Sequence, residues 1–312
     1  MSETNDLKTS TNHRTMQLKS TCLSLMSIAG MISLPGVTQA QPSAHYVPGV
    51  EGLKAATLPP PGIYLRDYNV GYYSTQLNDP NGNKIAGADP KAFTYANVPR
   101  VIWITDAKVL GGYLGVDGLL PLTYTDLKVN TPGGPFNDQT FGIGDFFAEG
   151  TWSMHIPQFD FSAAAGAWMP TGDFSPQNPT WAGSGFWTVM FTAGATWYID
   201  KDKNWSVSAL NRYEINTEQK DTHVTPGQAY TVEGGVSYTI NKMFDVGPVG
   251  YYQQQVTSTG GAPLNRVAAA GGEIGAFYPK IMFGWSVRYL YEFMAESRLQ
   301  GQTIALTLTK RF

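Results

Sequence analysis

Thiols are all but absent from this chain. Cys22 is the only cysteine in 312 residues, and it precedes a short apolar run instead of following it as a lipoprotein cysteine would. With the amino-terminal segment removed, disulfides and thiolate metal sites are excluded. Charge is also sparse. The chain has 21 basic and 24 acidic side chains, a net charge of −3. Binding to nucleic acid calls for a basic excess, so that class is set aside. No apolar run beyond the amino-terminal region is long enough for a helical membrane span. No cluster of His, Cys and acids has metal-ligand spacing, and no cofactor is expected. No G-x-S-x-G is present. The G-I-G-D at 142–145 does not complete a nucleotide fingerprint and falls within a strand pattern. What the chain has in quantity is glycine (34), tyrosine (17) and tryptophan (8). Low hydropathy with many aromatics suits a barrel in which only alternate residues need be apolar.

The amino terminus reads as an export signal. Lys19 is followed by T-C-L-S-L-M-S-I-A-G-M-I-S-L, then Pro35-Gly36 and T-Q-A. Positive charge, apolar stretch and small residues, in that order, predict cleavage after Ala40, so that 1–40 is a signal peptide. Met16 would open a signal of ordinary length and is a candidate start. Residues 41–61 then form a separate leader with five prolines and no sustained alternation. Pro59, Pro60 and Pro61 impose an extended backbone that cannot pair. The leader either stays in the periplasm or folds into the mouth or lumen of a barrel built from the rest of the chain.

From Gly62 to Phe312 the chain alternates. Counting back by twos from Phe312 gives Lys310, Leu308, Leu306 and Ile304 on one face and Arg311, Thr309, Thr307, Ala305 and Thr303 on the other. A final strand that stops at an aromatic carboxyl terminus resembles the closing strand of a bacterial outer-membrane barrel. About twelve strands are predicted, roughly 62–75, 93–108, 111–128, 141–155, 159–170, 185–199, 204–218, 228–240, 245–258, 266–278, 281–295 and 302–312. Connections alternate between short (near 109–110, 156–158, 200–203, 241–244 and 279–280) and longer (near 76–92, 129–140, 171–184, 219–227, 259–265 and 296–301). Short periplasmic turns, longer outer loops and an even strand count place both barrel ends on the periplasmic side. The expected fold is all-β: a transmembrane antiparallel up-and-down barrel. Closure is required, because an open edge in hydrocarbon leaves backbone groups unpaired at several kcal/mol each.

A basic side chain on the lipid face near midplane costs about 2–4 kcal/mol, so the charged register is the lumen register. That rule turns Asp117, Asp145, Glu149, Arg212, Glu214, Glu233, Glu273, Arg288 and Glu292 inward, with Trp168 beside them. Two Arg among many acids suggest a salt-bridged ladder. Such charges either brace a filled interior or line a solute path with aromatics such as Trp168 and Tyr198 at contact points. Strands 62–75, 93–108 and 245–258 declare no face. Trp152, Trp197, Trp205, Tyr238 and Phe312 near short turns are expected to anchor one membrane interface. Trp187, with Tyr95, Tyr230 and Phe293 near long loops, would anchor the other. An acyl-transfer enzyme would need a Ser–His pair. The available histidines are His45, His155 and His223, and Ser153 shares the register of His155, a spacing common by chance. An enzyme is not expected.

Several stretches, in order, are similar to one family. They are G-V-E-G-L-K-A (49–55), P-P-P-G-I-Y-L (59–65), F-G-I-G-D-F-F (141–147), M-P-T-G-D-F (169–174), G-F-W-T (185–188), L-N-R-Y-E-I-N (210–216), D-V-G-P-V-G-Y (245–251), R-Y-L-Y-E-F (288–293) and T-L-T-K-R-F (307–312). They resemble the outer-membrane barrel proteins of the meta-pathway phenol-degradation family. The resemblance implies a single barrel in the outer membrane and a role in uptake of hydrophobic or aromatic compounds. It supplies no substrate residues. The expected partners are outer-membrane lipid, the barrel-insertion machinery acting through Phe312, and a small hydrophobic or aromatic solute, with the chain working as a monomer. The rival is a structural or adhesion barrel with a filled lumen. A lipase-type enzyme ranks third.

Overall fold

A computed structural model describes residues 44–131, 134–176, 180–258 and 262–312. The segment predicted as a signal, 1–40, lies outside them. The described chain from Gly62 is fourteen strands: β1 (Gly62–Leu77), β2 (Asp89–Val109), β3 (Gly112–Leu119), β4 (Leu122–Thr131), β5 (Gly134–Ile143), β6 (Phe146–Ile156), β7 (Phe159–Met169), β8 (Thr188–Tyr198), β9 (Trp205–Asn216), β10 (Ala229–Ile240), β11 (Phe244–Gln255), β12 (Arg266–Tyr278), β13 (Phe283–Glu296) and β14 (Leu299–Arg311). All pairings are antiparallel: β6 to β14 pair in sequence, β14 returns to β1, β1 pairs with β2, β2 with β3, and β3 with β6, while β4 pairs with β2 and β5. The ring so formed is a closed twelve-stranded barrel, with β4 and β5 as an added hairpin.

That hairpin refines the predicted 111–128 and 141–155. β2 is 21 residues long and meets β3 along its lower half and β4 along its upper half. The predicted third strand is therefore β3 and β4, interrupted at Leu120–Pro121, where proline offers no N–H to a ladder. The predicted fourth strand breaks at Gly144–Asp145, and its upper part, β5, takes up most of what was read as an outer loop. The two breaks lie side by side, since Gly144 N–H donates to Pro121 O at 2.7 Å. Residues 172–173 and 182–183 pack there: Asp173 N–H donates to Ile143 O at 3.0 Å, and a Cβ on Gly172 would lie 2.6 Å from the Gly144 carbonyl carbon. Only glycine permits that approach. The G-I-G-D motif thus marks this break and not an unbroken strand. The last outer connection is also shorter than expected, two residues between β13 and β14, with Ser297 at φ 53°.

At the opposite end the turns are tight. Asn241 and Lys242 both have positive φ (51° and 55°), the backbone that lets a short turn follow the right-handed twist of its strands. Asp200 closes another turn by accepting N–H bonds from Asn204 (3.0 Å) and Trp205 (2.7 Å). Those bonds hold its carboxyl below the ordinary carboxylate range.

The alternation reads directly as two surfaces. On β13, Tyr289, Tyr291 and Phe293 are exposed, while Arg288, Leu290 and Glu292 are buried. On β14, Ile304 and Leu306 face out, and Thr303, Ala305 and Thr307 face in. A contiguous outer band of Val, Ile, Phe, Trp and Tyr is stable only against hydrocarbon. Trp187, Trp197, Trp205, Tyr238 and Phe312 lie on this outer surface. Trp152 is half-buried and its indole N–H donates to Val109 O at 2.8 Å. The strands without a declared face are now assigned. β1 turns Tyr64, Arg66, Tyr68 and Val70 inward, and β2 turns Arg100, Ile102 and Ile104 inward. β11 turns Val249, Tyr251 and Gln253 inward.

Candidate functional site

The lumen holds the leader. Residues 44–61 form turns without strand or helix and run down the inside of the wall, from the long-loop end at His45 to the short-turn end at Pro60. A chain without internal hydrogen-bond ladders must find partners for its amides elsewhere. The wall acids supply them. Glu214 accepts the N–H of His45 (2.8 Å) and of Tyr46 (3.0 Å). Glu233 accepts the N–H of Gly49 (2.8 Å) and the Tyr46 hydroxyl, and pairs with Arg212, whose guanidinium lies 4.0 Å over the Tyr46 ring. Glu273 accepts the N–H of Leu53 at 3.0 Å and pairs with Arg288 at 2.7 Å. Arg288 also donates to the carbonyls of Gly49 (2.7 Å) and Val50 (2.8 Å). Lower down, Lys54 reaches Asp245 at 2.7 Å, and the Thr57 hydroxyl donates to Asp160 at 3.0 Å.

The fit is close enough to demand glycine twice. Gly49 has φ +84°, and a Cβ there would sit 2.6 Å from Leu290 Cδ1. A Cβ on Gly52 would sit 1.7 Å from Glu273 Oε2 and 2.4 Å from Arg288 Nε. The G-V-E-G stretch therefore passes directly over the Glu273–Arg288 pair.

The side chains expected to face the lumen all turn away from lipid. Each is buried except Glu149, which is half-buried along its backbone but leaves only 7% of its side chain exposed. Glu214, Glu233, Glu273 and Arg288 hold the leader directly, and Arg212 does so through Glu233 and Tyr46. Asp117 and Glu149 both pair with Arg100, at 2.8 and 2.6 Å. Trp168 stacks on His45, with ring centroids 5.4 Å apart, and packs against Phe147 at 4.7 Å. Glu292 stands apart, taking hydroxyls from Tyr72 (3.0 Å) and Tyr251 (2.8 Å). Asp145 is not on a strand but in the break after β5, where it accepts N–H bonds from Gly172 (2.9 Å) and Ser184 (2.7 Å) and meets His45 Nε2 at 2.8 Å. Tyr198 also faces in, its hydroxyl donating to Asp160 at 2.6 Å.

Other residues complete the belt. Glu51 of the leader receives the Tyr68 hydroxyl at 2.7 Å, Arg66 at 3.3 Å and Arg100 at 3.4 Å. The lumen arginines at this level are thus Arg66, Arg100, Arg212 and Arg288, and not the last two alone. Arg66 and Arg100 were missed because Asp67 follows the first, and Asn97 and Pro99 precede the second, so polar residues occupy both registers. Asp67 points outward and is held by Asn97 (2.8 Å) and Asn69 (2.9 Å).

Two cavities flank this belt. The upper one, of about 230 Å³, is lined by apolar side chains such as Val50, Val70, Val98, Leu119, Phe147, Trp168 and Met190, with Glu51, Arg100, Asp145, Glu149 and Arg212 among its polar groups. The lower one, of about 370 Å³, lies between the leader and β1, β11, β12, β13 and β14, and includes Pro59, Pro60, Arg66, Glu273, Arg288 and Arg311. Among their linings only Val50 and Glu51 are common to both.

The elements of an acyl-transfer site are not brought together. His155 Nδ1 meets Asp160 at 2.8 Å, and neither Ser153 Oγ nor Ser162 Oγ has a hydrogen-bond partner among the described residues.

No curated protein matches the chain in sequence. Among solved structures, the COG4313 outer membrane channel from Pseudomonas putida F1 superimposes with a TM-score of 0.71 at 13% identity, over 86% of this chain and 100% of that one. The CymD monoaromatic hydrocarbon channel aligns at a TM-score of 0.42 and 12% identity, over 81% of this chain and 89% of that one. The beta domain of the Bordetella autotransporter BrkA aligns at 0.46 and 11% identity, over 80% of this chain and 99% of that one. The first supports the barrel fold. Residues 74–308 match the family described as "Putative MetA-pathway of phenol degradation", and the chain belongs to that family.

Proposed function

We propose that this chain is a monomeric outer-membrane barrel that admits small hydrophobic or aromatic compounds by passive or facilitated diffusion. The observation that carries the reading is the pair of cavities stacked on either side of the leader. The upper one is apolar and aromatic, of a size for one small ring compound, and lies toward the long-loop end. The lower one is polar and lies toward the short-turn end. A solute moving down its own gradient needs no energy-coupling device. The family to which the chain belongs favours the same class of solute. In this reading 1–40 directs export, Phe312 is read by the insertion machinery, the outward aromatics anchor the barrel in lipid, and 41–61 constricts the lumen.

The test is entry of toluene and phenol into proteoliposomes, alongside current across a planar bilayer. Entry faster than into empty vesicles, with glucose excluded, is the expected result. Neither entry nor current, with the barrel folded, would leave a side-chain-filled structural barrel in its place. Lipase or protease activity lost on changing His155 would restore the enzyme.

A further inference from the structure

Arg66 and Arg100 are directly opposite residues on β1 and β2, and both turn into the lumen. Like charges in that position repel unless an anion lies between them. The anion is Glu51, which gives Oε2 to Arg66 and Oε1 to Arg100 and the Tyr68 hydroxyl. Its ion pairs are long, 3.3 and 3.4 Å, whereas Arg100 holds Asp117 and Glu149 of the wall at 2.8 and 2.6 Å. Arg66 has no other acid partner among the described residues, and its Nε is buried without a hydrogen bond. The wall thus presents a carboxylate site filled by the carboxylate of a non-ladder segment, with ion pairs longer than those Arg100 makes to the wall. The site sits where the two cavities meet, with the apolar one directly above.

We propose that Glu51 is a stand-in ligand, and that the Arg66–Arg100–Tyr68 site takes the carboxylate of a small aromatic acid whose ring occupies the upper cavity. The proposal rests on the uptake reading and names its solute class. The exchange is one carboxylate for another, so the charge of the belt is unchanged, and Glu149 faces no more negative charge than before. Glu51 swings into the lower cavity, which it already lines. The solute's passage then replaces the contact that separates the two spaces. A tethered carboxylate competes at high effective concentration, so it weakens the apparent affinity of a free one.

Benzoate and its neutral isostere benzamide separate charge from shape. Calorimetry on the full chain in detergent should find benzoate bound about ten-fold more tightly than benzamide, as charge-assisted bonds require. Glu51→Gln should tighten benzoate by about a further ten-fold and leave benzamide nearly unchanged. Arg66→Gln should erase the advantage of benzoate. Equal binding of the two by the unaltered chain, or no gain in Glu51→Gln, overturns the proposal. Flux distinguishes it from the uptake reading. Equal entry of both compounds into proteoliposomes keeps uptake and removes the acid preference. Entry of neither removes uptake, while the binding data still decide the anion site.

Discussion

The wall and the leader solve the same problem in opposite ways. Both must satisfy backbone amides where water is scarce. The wall does so by pairing strand to strand around a closed ring, which frees its side chains to follow the period-two demand of lipid outside and lumen inside. The leader has five prolines in 21 residues and no ladder. Its amides go to side-chain carboxylates of the wall, Glu214, Glu233 and Glu273. The barrel's order is therefore made of backbone bonds, which tolerate sequence change, and the leader's of a few charged side chains, which do not. The leader's seat is shared among several wall side chains, while no single side chain holds the ring shut.

The sharpest way to break this contrast is to place one charge on each surface. Arg212→Leu leaves Glu233 buried without its partner, and a broken buried pair costs about 3–5 kcal/mol. Tyr289→Arg puts a base on the lipid face of β13 and should cost about 2–4 kcal/mol. Urea unfolding of the refolded barrel in vesicles measures both. If Arg212→Leu proves the milder of the two, the leader and its belt contribute little to stability.

Next in size is removal of the leader. Deletion of 41–61 should leave the strands paired, because no strand hydrogen bond depends on it, and should raise solute flux in liposomes several-fold. Unchanged flux would show that the leader does not constrict the path. A gentler version is Gly52→Ala. The new methyl group collides with the Glu273–Arg288 pair, so the leader should become open to protease while the unfolding midpoint of the barrel barely moves. Continued protection would mean that the seat tolerates a Cβ and is looser than the close approach implies.

The smallest effect belongs to a turn. Asp200 has a carboxyl below its usual value because two backbone N–H groups point at it. Its contribution is present in full above the ordinary carboxylate pKa and disappears as pH falls through the lower folded value. Asp200→Asn should therefore narrow any difference in unfolding between about pH 6 and about pH 3, without altering flux.

Much of the wall was legible. Alternation on 185–199, 204–218, 281–295 and the carboxyl-terminal strand showed which side met lipid, because one misplaced base costs enough to keep charge out of that register. Legibility failed where the rule was relaxed. On β1, Arg66 faces in and Asp67 faces out, the latter held by Asn69 and Asn97. With polar residues on both faces the sequence carries no sign of direction, and Arg66 and Arg100 went unread. The upper part of the β4–β5 hairpin, within 129–140, was read as a loop because it stands above the ring, where neither face is constrained by lipid. Glu51 was invisible for a different reason. Nothing local in G-V-E-G distinguishes an acid free in the periplasm from one seated between two arginines contributed by separate strands.

By itself, then, the chain of residues determined a closed ring of strands and its two surfaces, since pleat geometry and the cost of charge in hydrocarbon act on each residue locally. Only the folded molecule decided where residues 44–61 lie, that Asp145 sits in a break and not on a strand, and that Glu51 lines both cavities. Those facts depend on which side chains face one another across the lumen, and facing pairs are fixed by the register of strands distant in the chain.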